Sequence, residues 1–294
     1  MKLAQTVQLL FQEITRFMDM HKEESSLMKR VPEKIENMPE IEQIIDRDIH
    51  RLRFCVRSSD GEEEASEIDK NSKPVMYLRK IAAKLYSIEE YYQEILDFLI
   101  PIIYTEVAAD KDVEYSKVEK DCMAIYESFL YEYLKNQYAL ALRYETTLQK
   151  MEGYYIVKEI DFEQIKGTFI ELSHTALWFS RTFAYEDLVY IYAYLLRSEL
   201  HAPYVFFLAS IRIIREREEV KPMFDLKKRS AILGEKKMKG LIVKSKELDK
   251  KIGHFFKDGL LTNKTTTFMV LAGVGVVAAV AAGLCMSRHK STKE

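Results

Sequence analysis

Glu171-Leu172-Ser173-His174 places a carboxylate and an imidazole three residues apart. On a helix that spacing puts both groups on one face, the arrangement by which helical bundles hold a di-iron or di-manganese pair. Such a site also needs a second Glu-x-x-His and two more glutamates on facing helices. The sequence has no second Glu-x-x-His, and its 6 His are scattered. A chance match is therefore the expectation for Glu171 and His174, and a membrane-bound helical metalloenzyme ranks third among the readings. Cys55, Cys122 and Cys285 are odd in number and far apart, which suits neither a disulfide framework nor a zinc site. A reducing cytosol fits them. There is no Gly-rich phosphate loop, G-x-S-x-G, H-E-x-x-H or C-x-x-C. No catalytic, cofactor-binding or metal-ligating residue is assigned, no cofactor is expected, and the chain reads as a non-enzyme.

The elements that would carry any chemistry are helical. With 10 Gly and 6 Pro in 294 residues, turn formers are too few for a many-stranded fold, and the class is all-α. The 18 Tyr and 15 Phe fall mostly at helical spacing and read as core. Trp178, the only Trp, reads the same way. A helix over 3–29 carries Leu3, Val7, Leu10, Phe11, Ile14, Phe17 and Met18 on one face, and a second runs over 40–56. Residues 58–74, with six acids and a final Pro, read as an acidic linker; Ser58 and Ser59 precede acidic residues and are candidates for phosphorylation, with an inert solvated loop the favoured reading. Ser87 with Glu90 resembles a capping box that would open a new helix, and Pro101 should kink or end it. Further helices are expected over 113–151, from an N-cap at Asp161 with Gln164, and over 185–200 and 203–220, the last two as an αα-hairpin. The expected division is a helical pair 1–57, linker 58–74, core 75–222, stalk 223–264, anchor 265–287 and basic tail 288–294.

The anchor is the run Phe268–Met286, apolar and uncharged. As a helix it would be about 28 Å long, close to the hydrocarbon thickness of a bilayer. Gly275, Ala279 and Gly283 recur every four residues, a stripe that lets two backbones approach and makes a homodimer contact a candidate. Cys285 sits where S-acylation occurs on some anchors, with an unmodified lipid-facing thiol the simpler reading. The opening stretch MKLAQTVQLLFQEITRF is amphipathic rather than a signal peptide. The body is therefore expected in the cytosol, on the mitochondrial outer membrane or the endoplasmic reticulum.

Charge is divided along the chain. Between Lys221 and Lys264 there are 13 Lys and Arg against 5 Asp and Glu, a net of +8, while the whole chain carries -2. A basic stalk beside an anionic leaflet is attracted to it. Lys244, Lys246, Lys250, Lys251, Lys257 and Lys264 are the candidate lipid contacts. Nucleic acid is not an expected partner, because the acidic body would repel phosphate. In the stalk, Met238, Leu241, Ser245, Leu248, Ile252 and Phe255 are spaced alternately three and four apart. That seam is coiled-coil-like. It would pack on the body, zip to an unidentified partner, or lie on lipid, with the body favoured.

Gly234-Glu235-Lys236 and Leu241 to Leu248 are locally similar to the membrane-proximal half of an R-SNARE motif, over about 25 residues. Gly234 stands where that family carries Arg or Gln in its central layer, and Pro222 interrupts the preceding half. The resemblance implies a membrane-fusion or trafficking component acting through the 235–262 coil. The leading expectation is different: a tail-anchored helical domain that serves as an adaptor, tether or scaffold on an organelle surface.

Overall fold

In the computed structural model the described residues are 2–21, 25–57, 65–131, 172–218 and 233–257. They are mostly helical, in line with the expected class. The anchor, the tail, Ser58 and Ser59, Asp161, Gln164, Glu171, Pro222 and Cys285 lie outside them. Among the described residues no helix is long and apolar enough to cross a membrane.

The centre of the fold is α5 (Ile95–Ala109), in which Phe98, Leu99, Ile100, Ile102 and Ile103 are all fully buried. A helix apolar on every side can exist in water only when other elements surround it. Here α1 (Lys2–Met20), α4 (Lys73–Ser87), α6 (Tyr115–Ile125) and α8 (Tyr185–Leu195) pack on it. Pro101 lies inside this helix without ending it. The burial of its neighbours outweighs the roughly 3 kcal/mol that an interior proline costs. The Thr105 hydroxyl, one turn on, donates to the Pro101 carbonyl at 2.7 Å and pairs with the Tyr185 hydroxyl at 2.9 Å.

The N-terminal region joins the same core. Val7, Leu10, Ile14 and Phe17 of α1 are buried against α5 and α8, and Arg197 pairs with the buried Glu13. The short α2 (Ser26–Arg30) and α3 (Met38–Ile49) follow. The helix expected over 40–56 ends at Ile49, because the next apolar residues pair as a strand instead. β1 (Cys55–Arg57) runs antiparallel to β2 (Ala65–Glu67), with Cys55 opposite Glu67 and Arg57 opposite Ala65. Arg53 binds Glu67 at 2.9 Å, and the Arg57 N–H donates to Glu186 of α8 at 2.7 Å. The C-terminal part of the expected linker is therefore ordered structure: Ile68 is buried, and Pro74 sits in the first turn of α4.

The expected capping box does not form. Ser87 is the last residue of α4, and its hydroxyl donates back to the Lys84 carbonyl at 2.7 Å. Glu89 follows in the left-handed region at φ 61°, and the Glu90 N–H closes onto the Leu85 carbonyl at 2.9 Å. This is a helix ending of the kind that usually takes glycine. After α6, residues Tyr126–Tyr131 continue as a π-helical turn. The short α7 (Leu172–Thr175) leads to Trp178 and Phe179, which take φ of 49° and 66°. Two bulky residues in that region cost about 1–2 kcal/mol each. Burial offsets the cost: Trp178 is packed edge-on against Phe98, Phe129 and Tyr192. α9 (Ala202–Glu218) opens with Pro203 in its first turn. Tyr194 of α8 touches Phe206 of α9, yet α10 (Glu235–Lys257) lies against both helices.

One contiguous core runs from Val7 through Leu78, Phe98, Val118, Leu188 and Phe206 to Met238 and Ile252. It crosses the boundaries expected at 57, 74 and 222, because side chains from all four stretches share it, Ile68 for 58–74.

Candidate functional site

The 23-residue α10 is the stalk helix, and its seam is placed on the body. Met238, Ser245 and Ile252 are fully buried, Leu248 nearly so, and Leu241 and Ile242 half-buried. The side chain of Phe255 lies outside the described set. Burying Met238, Leu248 and Ile252 at about 1.5–3 kcal/mol each contributes roughly 5–9 kcal/mol before ordering costs. The spacing of the seam is what coiled coils use, but here α8 and α9 supply the facing surface. Ser245 is accommodated because its hydroxyl donates to the Leu241 carbonyl at 2.8 Å inside the helix.

Two polar contacts set where α10 begins and how it turns. Gly234, at φ 83°, leads into the helix, and the N–H groups of Leu233 and Gly234 donate to the two carboxylate oxygens of Asp187 at 2.8 and 3.1 Å. Asp187 is fully buried near the start of α8. Burial pushes its carboxyl above the ordinary range, and the two N–H donors and Arg217 pull it back. A negative group at a helix N-terminus also favours the helix dipole. Near the other end, His201 Nε2 meets Asp249 Oδ1 at 2.7 Å, with His201 almost wholly buried. Gly253 makes room for that contact, since a Cβ there would overlap Asp249 Oδ1 and come within 3.2 Å of His201 Nε2.

With the seam inward, the outward face is determined. Lys236, Lys239, Val243, Lys246 and Lys250 recur at spacings of 3, 4, 3 and 4 and are all exposed, Val243 at 55%. Lys251 is exposed beside them, and Lys239 also pairs with Glu235 at 2.5 Å. Of the lysines picked as lipid contacts, Lys246 and Lys250 belong to this stripe. Lys244 is half-buried to one side, the side chain of Lys257 is outside the described set, and Lys264 is outside the described residues. Lys236 and Lys239 were not among the candidate lipid contacts. A helical wheel drawn opposite the seam would have found them. The Gly275, Ala279 and Gly283 stripe also lies outside the described residues.

Buried charges elsewhere hold the helices together. Arg181 donates through Nε and Nη2 to Asp97 Oδ2 at 2.9 and 2.8 Å. Lys117 Nζ bridges Glu106 at 2.6 Å and Asp121 at 2.8 Å, joining α5 to α6. Burial pushes the Glu106 carboxyl up to about 7, against the pull of Lys117. The Cys122 thiol beside this network is fully buried and raised by burial, the condition of an unreactive cysteine. His174 is a core residue: its Nδ1 shares a hydrogen bond with the Thr182 hydroxyl at 2.9 Å, and its ring lies near Phe179 and Phe207. No three His, Cys, Asp or Glu side chains are grouped to hold a metal among the described residues. A small crevice lies between Phe129, Trp178, Leu195, Glu199, Leu200 and Pro203. No protein family, curated protein or solved structure matches this chain.

Proposed function

We propose that this protein is a tail-anchored membrane adaptor, whose α-helical body faces the cytosol and recruits or tethers a protein partner at an organelle surface, the mitochondrial outer membrane or the endoplasmic reticulum. The observation that carries the reading is the uncharged run Phe268–Met286, long enough as a helix to span a bilayer, next to the stretch 221–264 of net charge +8. Self-association through Gly275, Ala279 and Gly283 would present two bodies side by side. A SNARE-like coil is disfavoured because it needs the seam free for a partner, and Met238, Leu248 and Ile252 are already buried on α8 and α9.

The test is deletion of residues 265–294 in cells expressing a tagged chain. The full chain is expected in the membrane fraction and resistant to alkaline extraction. The truncated chain is expected in the soluble fraction. A truncated chain that still resists extraction would sink the reading.

A further inference from the structure

We propose that α10 lies flat on an anionic bilayer surface, held there by Lys236, Lys239, Lys246 and Lys250 with Val243 against the lipid interface. The proposal rests on the tail-anchor reading and assigns which face of which helix meets the membrane. α10 has its apolar seam turned toward α8 and α9, so the lysine stripe is left exposed on its outer side, with the Lys246 ammonium reaching back over the Tyr194 ring of α8 at 6.0 Å from its centroid. Among the described residues, a membrane on that side meets the stripe without displacing any packed element. The complement in charge is anionic, and a single exposed Val among lysines suits an interface that offers head groups with acyl chains beneath. The only exposed acid along the middle of the stripe is Glu247, since Glu235 is engaged by Lys239.

Reach agrees. Residues 258–267 extend at most about 35 Å, and α10 is itself about 35 Å long. A spanning Phe268–Met286 would therefore keep the whole length of α10 within reach of the leaflet. Because Asp187 and His201 fix α10 to the body, contact along this stripe would set the orientation of the entire domain. Each lysine near an anionic leaflet favours contact about fivefold. With Lys239 neutralised by Glu235, the remaining three, offset by Glu247, favour it about twenty-fivefold.

The test uses the full chain in vesicles, with a spin label on Val243→Cys in a Cys285→Ser background; Cys55 and Cys122 are buried, and the unsubstituted Cys285→Ser chain measures any labelling of them. In phosphatidylcholine with phosphatidylserine, the label is expected to be shielded from a water-soluble relaxation agent. It is expected to be exposed in phosphatidylcholine alone and in high salt. The Lys236→Gln, Lys239→Gln, Lys246→Gln, Lys250→Gln variant should leave the label exposed in both lipids while alkaline extraction is unchanged. A label exposed to water on anionic vesicles overturns the proposal and assigns the face to something other than lipid. Equal shielding on neutral vesicles overturns it too, because charge would then not be the cause. A chain that is alkali-extractable from vesicles defeats the tail-anchor reading instead. The label then reads the stripe alone in vesicle flotation: shielding on anionic vesicles only supports the proposal, and exposure overturns it.

Discussion

Gly240 and Gly253 sit in the same helix, and the docking of α10 gives their alanine variants opposite signs. Gly→Ala in an exposed helix interior stabilises by about 1 kcal/mol through propensity. At Gly240 a Cβ meets nothing within 4 Å, so that gain should be realised in full. At Gly253 the added carbon overlaps Asp249 Oδ1, and the Asp249 side chain must swing away. That movement breaks its 2.7 Å contact with the nearly buried His201. A hydrogen bond to a charged group contributes about 1.5–3 kcal/mol. Subtracting the propensity gain leaves Gly253→Ala destabilising by about 0.5–2 kcal/mol. The assay is urea unfolding of the full chain in non-ionic detergent, followed by fluorescence of Trp178, the only Trp and a core residue ringed by Phe98, Phe129 and Tyr192. Placing Gly253→Ala in an Asp249→Ala background removes the overlap and leaves the 3.2 Å approach to His201 Nε2, so the destabilisation should disappear there. If Gly253→Ala stabilises the otherwise native chain as much as Gly240→Ala, the docking of α10 through His201 is refuted.

Glu106 titrates with a folded value near 7 against an ordinary 4.5. Its folded carboxyl keeps a proton that the unfolded chain has already released, so its contribution is complete below about pH 4.5 and lost as pH rises through about 7, by about 3 kcal/mol at most. Glu106→Gln should flatten the decline of the urea midpoint across that window, and an unchanged decline would place its cause elsewhere. Glu89→Gly should stabilise the chain by about 0.5–1 kcal/mol, because glycine occupies the left-handed position at φ 61° without the Cβ penalty. Glu89→Ala, which keeps the penalty, should give no such gain, and equal urea midpoints for the two variants would count against the explanation.

Much of this fold is legible along the chain, and the exceptions share a cause. The apolar faces of α1 and α3 follow from helical periodicity, and Pro203 takes its place in a first turn. Ser87 and Glu90 form a good local motif that loses to a helix end fixed by the burial of Leu85 and Ile88. Pro101 is locally a breaker, overruled by the enclosure of α5. Cys55–Arg57 becomes a strand only because Ala65–Glu67 returns across an acidic stretch to pair with it. In each case a contact distant in sequence outweighs a local preference, and local patterns contain no term for it.

The surface at α10 divides in the same way. Sequence alone determines the helical class, the uncharged run at 268–286, the basic character of the stalk and the existence of a seam at three- and four-residue spacing. Those properties depend on residue type and helical geometry, which are local. The partner of the seam was decided only by the tertiary structure, through Asp187 and His201, which lie 46 and 48 residues from their contacts. The outward face was decided with it, bringing Lys236 and Lys239 into one line with Lys246 and Lys250. An amphipathic pattern requires that one face leave water, but the surface that receives it is built by remote segments, and only their packing determines which lysines point outward.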